Sequence, residues 1–193
     1  MSKQPIPVEQ IREFVIAAHS DLSKVKSLLS ENPEYLNTFY AWSESDHESA
    51  IMAAAHMGNK PIAEYLIALG APVEICTAAM LGRADEVRAE LSANPALIHA
   101  RGAHQIPLLA HAALSGNVEL VQILVSLGAQ EGLAFALSNA VMLNDEPLAR
   151  WLLENTKPDF AWKNWEQKSV LSVAESVGND AMTTLLLAHG ATK

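Results

Sequence analysis

Apolar residues recur along this chain in short helical stripes, not in strand-like alternation. In AALSGNVELVQILVSLGA, Ala112 to Ala129, the residues Leu120, Ile123, Leu124 and Leu127 fall at three-and-four spacing, which lines one face of an α-helix. Ile62, Tyr65, Leu66 and Leu69 make the same stripe in an earlier stretch. Ahead of each stripe runs an Ala-rich segment, with Ala53, Ala54 and Ala55 in one case and Ala110, Ala112 and Ala113 in the other. Such small side chains let neighbouring backbones approach closely. Gly58 and Gly116 stand between the two segments, where a tight reversal needs positive φ. Gly70, Gly128 and Gly190 follow the stripes, where a left-handed helix end belongs. The pattern predicts a short helix, a turn and a second helix running back.

That unit is repeated. SGNVELVQILVSLGA from Ser115 aligns with MGNKPIAEYLIALGA from Met57 and VGNDAMTTLLLAHGA from Val177. Weaker copies, LGRADEVRAELSANP from Leu81, LNDEPLARWLLENTKP from Leu143 and SDLSKVKSLLSENP from Ser20, lie between them. Their helices stop at Asn32-Pro33, Asn94-Pro95 and Lys157-Pro158 instead of Gly-Ala. The turn positions Asp21, Gly58, Gly82, Gly116, Asn144 and Gly178 are spaced 37, 24, 34, 28 and 34, alternately long and short. No single helix pair can bury its stripe alone, so the pairs must stack. The expected architecture is an all-α helix-turn-helix solenoid of about six repeats in one domain over residues 1–193. Approximate repeat boundaries are 11–48, 49–73, 74–104, 105–131, 132–168 and 169–193.

This pattern resembles the ankyrin repeat over about residues 12–191. The family's helix opening, Thr-Pro-Leu-His-x-Ala-Ala, is degraded here to SAIMAAA from Ser49, PLLAHAA from Pro107 and SVLSVAE from Ser169, with Met52, Ala110 and Ser172 in place of the His. Its Gly-x-x-x-Val-Val-x-Leu-Leu helix is better kept, as GNVELVQIL from Gly116. Copies without the Thr and joined by proline look more like a bacterial ankyrin protein than a consensus array. The resemblance implies a curved stack with fingers on one side and a concave groove that binds a protein or peptide, without catalysis.

In the family, the two residues ahead of the turn glycine face that groove. Carried over, those positions include His56 and Met57, Met80 and Leu81, Leu114, and Met142 and Leu143, a mostly apolar ridge. His19 and Ser20 occupy the same positions in the first copy. Two readings of the ridge stand side by side: a surface for an amphipathic helix or extended segment, or packing against the next repeat. The connecting fingers hold a second candidate set, Phe39, Tyr40 and Trp42 in the first and Phe160, Trp162 and Trp165 in the last. These are interface anchors or staples against the helices below. The middle finger, ALIHARGAHQI, offers His99, Arg101 and His104 instead, and a ligand pocket between fingers at these three is the alternative to partner binding.

Composition narrows the partners. Twenty-two acidic against 13 basic residues give a formal charge of -9, which disfavours a nucleic-acid backbone and favours encounter with a basic protein. No run of about 18 or more uncharged apolar residues marks a membrane span, and MSKQPIPVEQ has no secretory profile, so a soluble cytoplasmic protein is expected; a monomer is the accompanying expectation. Cys76 stands alone and reads as a small buried hydrophobe. Enzyme chemistry finds no support: there is no Gly-x-Ser-x-Gly elbow and no phosphate loop with its Lys. His99, His104 and His111, spaced five and seven apart, match no helix-borne ligand pair, so no metal and no cofactor is expected.

Overall fold

The computed structural model describes residues 5–192; residues 1–4 and 193, the ends of the span assigned to the repeat domain, lie outside the described residues. Helices follow one another in pairs: α1 (Val8–Ala17) with α2 (Leu22–Glu31), α3 (Ala50–His56) with α4 (Lys60–Ala68), and α5 (Ile75–Met80) with α6 (Ala84–Ala93). Then come α7 (Leu108–Ala113) with α8 (Val118–Ser126), α9 (Leu133–Met142) with α10 (Glu146–Asn155), and α11 (Val170–Val177) with α12 (Asp180–Ala188). Each first helix contacts the first helix of the next pair, from α1 through α11, so these Ala-rich helices form one continuous row. The fold is mostly helical and is not wholly so. The first finger is an antiparallel hairpin of β1 (Phe39–Ser43) and β2 (Asp46–Ser49), with Tyr40 opposite Glu48. Its aromatic side chains suit a half-covered pleated surface, which helical periodicity does not register.

The turn chemistry explains why Gly-Asn recurs. Gly116 takes the left-handed conformation at φ 74°, and Asn144 takes it at φ 60° in the fifth copy, which has no turn glycine. The Asn after the glycine then caps the second helix: Asn59, Asn117 and Asn179 accept from the N–H groups of Ile62, Leu120 and Met182. Each also reaches back to the preceding pair, Asn59 Nδ2 donating to the His19 carbonyl and Asn117 Nδ2 to that of Gly82, both at 3.4 Å, and Asn179 Nδ2 to Asn144 Oδ1. Such bridges run from α4 to the first pair, from α8 to the third and from α12 to the fifth. These Asn bridges therefore link the helix pairs two by two.

The linkers follow the same alternation. Helices α2 and α6 end at Asn-Pro, where Asn32 and Asn94 accept from the N–H groups of Glu34 and Ala96 and start a 3₁₀ turn leading into a finger. Helices α4 and α8 end at Gly-Ala and pass within a few residues to the next pair, with no finger. The long and short spacings thus separate joints with fingers from joints without. Two buried apolar clusters fill the stack, one around α1 to α4 and one from α5 to α12. Cys76 is buried in the second, and its thiol is pushed up to about 12, first by burial and then by Glu74 and Glu90.

Candidate functional site

The first two fingers meet over the row of first helices and bring four side chains together. His19 lies just past the end of α1, His56 is the last residue of α3, Glu48 stands on β2 and His104 comes from the second finger. His104 and Gln105 adopt φ of 55° and 58°, a left-handed conformation uncommon outside glycine. Asp46 on β2 holds His104 there. Its Oδ1 accepts from the backbone N–H of His104 at 2.9 Å, and its Oδ2 accepts from Nδ1 at 2.7 Å.

One ring nitrogen from each of His19, His56 and His104 and one carboxylate oxygen of Glu48 all lie within 4.8 Å of one another. His56 Nε2 is 2.8 Å from Glu48 Oε1 and 3.2 Å from His19 Nε2; Glu48 Oε1 is 3.6 Å from His104 Nε2 and 3.8 Å from His19 Nε2. The outward atoms are tied off by other partners. His19 Nδ1 donates to the Val15 carbonyl at 3.0 Å, and Trp42 Nε1 donates to Glu48 Oε2 at 2.6 Å. Glu48 has no exposed surface. Burial alone would raise its carboxyl, but the hydrogen bond and charge of His56, the Trp42 donor and the charge of His19 together hold it below the ordinary value. Asp46 behaves alike: burial raises it, and the two bonds from His104 bring it down.

Beside this cluster a cleft of ≈ 440 Å³ opens between the second and third fingers, walled by His56, Met57, His104, Phe135, Met142 and Trp165. Trp162 lies half-buried against Phe135, ring centroids 5.1 Å apart, and forms part of the lining. Trp165 is 86% exposed, and Met57 and Met142 are each 50% exposed. Leu143 is also exposed, next to Met142.

Other residues placed on the groove ridge or in the pocket take different positions. Met80 and Leu114 are buried among the first core cluster, and Leu81 is half-buried against it. These apolar side chains ahead of the turn are taken into the packing against the second pair; a Cβ on Gly58, in the turn of that pair, would meet Leu114 Cδ2 at 3.4 Å. They offer no groove surface. Nor do His99, Arg101 and His104 converge on one pocket. Arg101 is bonded to Glu131 and, at 2.8 Å, to the Gln105 carbonyl, and His104 turns the other way to Asp46. A cleft of ≈ 570 Å³ is lined by Arg101 and His104 without His99. In the first finger Phe39 is exposed, Tyr40 is half-buried, and Trp42 is engaged by Glu48 and by the Tyr40 ring at 4.8 Å.

Sequence spacing gave no sign of Asp46 and Glu48 as site residues, and none that His19 joins them, because the four converging groups come from two helix pairs and two fingers. One signal was present: His19 and His56 occupy the same position in successive copies. Residues 46–78 match the model of the ankyrin repeat family. Comparison with curated proteins finds no match.

Proposed function

This chain is an ankyrin repeat protein, and on that premise we propose that it is a monomeric, cytoplasmic binding module of six repeats with no chemistry of its own. Ankyrin repeats are generally protein–protein interaction modules. The proposed partner is a protein segment carrying an apolar anchor flanked by basic residues. The observation that carries this reading is the apolar cleft of ≈ 440 Å³ with the exposed Met57, Met142 and Trp165 on its rim. Its volume suits one or two large side chains, and Met and Trp supply adaptable and rigid contact area. The formal charge of -9 supplies the complement to basic flanks.

The test is selection from a random peptide display library, followed by affinity measurement on the full chain. Selected peptides are expected to combine an aromatic or aliphatic anchor with Lys or Arg. Met142→Glu and Trp165→Ala, both at exposed positions, should each weaken binding by about tenfold or more with unchanged circular dichroism. Peptides that bind the folded variants as tightly as the parent chain would refute this placement.

A further inference from the structure

We propose that Nε2 of His19, His56 and His104 and Oε1 of Glu48 form a binding site for one divalent transition-metal ion of the zinc class. Acceptors outnumber donors at the centre of this cluster. His19 Nδ1 faces a carbonyl and His104 Nδ1 faces a carboxylate, and both partners can only accept. Each Nδ1 therefore carries the proton, and in the neutral ring each Nε2 presents a lone pair to the centre. Glu48 Oε1 adds a third acceptor, its other oxygen being occupied by Trp42. Against these three stands at most one inward donor, the Nε2–H of His56, placed 2.8 Å from Glu48 and 3.2 Å from His19. With the His104 ring neutral, its Nε2 and Glu48 Oε1 face each other at 3.6 Å as two acceptors. A single cation at the centre satisfies all four groups.

The geometry fits such an ion. Tetrahedral bonds of about 2.0–2.1 Å place ligand atoms about 3.3 Å apart, and the separations among these four atoms run from 2.8 Å upward, all within 4.8 Å. Three imidazoles and one carboxylate select zinc, copper, nickel or iron over calcium and magnesium, which prefer all-oxygen shells. The surroundings are also those of a built site. Protein-held imidazoles commonly donate their outer N–H to a carbonyl or carboxylate, as His19 does to Val15 and His104 does to Asp46. The left-handed backbone at His104, secured by two bonds to Asp46, aims that ring at the centre. Occupied, the site would pin the second finger to the hairpin and to the first two helix pairs. It would also fix the wall of the cleft to which His56 and His104 belong. The inference stands on this cluster alone and does not depend on the partner reading.

The experiment is titration of the chelator-stripped full chain with Zn2+, by calorimetry and by elemental analysis after desalting, with Co2+ as a spectroscopic probe. One ion per chain is expected, with a rise in Tm and the intense visible absorption of tetrahedral Co2+, bleached by Zn2+. His104→Ala removes a ligand on an exposed finger and should weaken binding about a hundredfold or more, and Asp46→Asn, which loosens the ring, about tenfold. His47→Ala, an exposed histidine on the same hairpin, should leave binding unchanged. Failure of the parent chain to retain Zn2+ or to give tetrahedral Co2+ spectra would overturn the proposal, leaving a proton-held imidazole–carboxylate network. Equal affinity in His104→Ala, or equal loss in His47→Ala, would overturn it as well.

Discussion

Gly102 and His111 form a matched pair in the interior. A Cβ on Gly102 would stand 2.8 Å from Cε1 and Nε2 of His111, so the missing side chain is the space the ring occupies. The ring is 1% exposed, donates through Nδ1 to the Pro107 carbonyl at 3.2 Å and has no partner for Nε2. Burial drives its pKa from 6.5 down to about 4, against the Pro107 bond, so it is held neutral. The unfolded chain binds this proton near 6.5 and the folded chain only near 4, so stability from this group is complete above about 6.5 and falls as the pH drops towards 4. The full loss is about 3 kcal/mol. Denaturant unfolding at several pH values should show this decline in the parent chain, and His111→Leu should flatten it between those limits. The depressed carboxyls of Asp46 and Glu48 act at lower pH, where their own protonation removes further stability. An undiminished slope in the variant would assign the decline to other groups.

Helix-pair behaviour rests on the Asn after each turn. Asn117 both caps α8 and donates across to the Gly82 carbonyl, so Asn117→Ala should cost about 1–2 kcal/mol by thermal or chemical unfolding. The third pair lacks this device. Arg83 sits at the start of α6 with no side-chain cap, and its guanidinium bonds to the exposed Glu86. Arg83→Asn should therefore stabilise by about 0.5–1 kcal/mol, since the exposed ion pair it gives up is worth little. Helix pairing, turn positions and helix ends were legible because each is local: a stripe at helical spacing, a glycine, a proline. The β-hairpin was not, since its short aromatic run looks like any loop until another finger covers it. The ridge register was legible only in part. Met57 reaches the surface while Leu81, in the matching position, is half-buried, and Met142 reaches the surface while Met80 and Leu114, in its matching position, are taken into seams that sequence position does not distinguish.

Across the whole molecule, cohesion depends on side chains that cross between pairs. Met80 leaves α5 fully buried and joins the apolar cluster of the first two pairs. Met80→Ala should lower the free energy of unfolding by about 2–5 kcal/mol, and amide exchange should show the residues of α1 to α4 opening more readily than the rest. Uniform loss of protection along the chain would argue against that role. The histidine cluster belongs to this scale too, and that is why it was invisible in sequence: its members lie from 8 to 85 residues apart and meet only through stacking. Because joints with and without fingers alternate, and each Asn bridge links the two pairs that share a finger, this architecture has a natural step of two. Duplicating residues 74–131 would lengthen the array with its phase intact and add one more finger. Duplicating one pair alone would set two like joints side by side and leave an Asn without its carbonyl. Growth of such a protein, by descent or by design, is quantised in couplets.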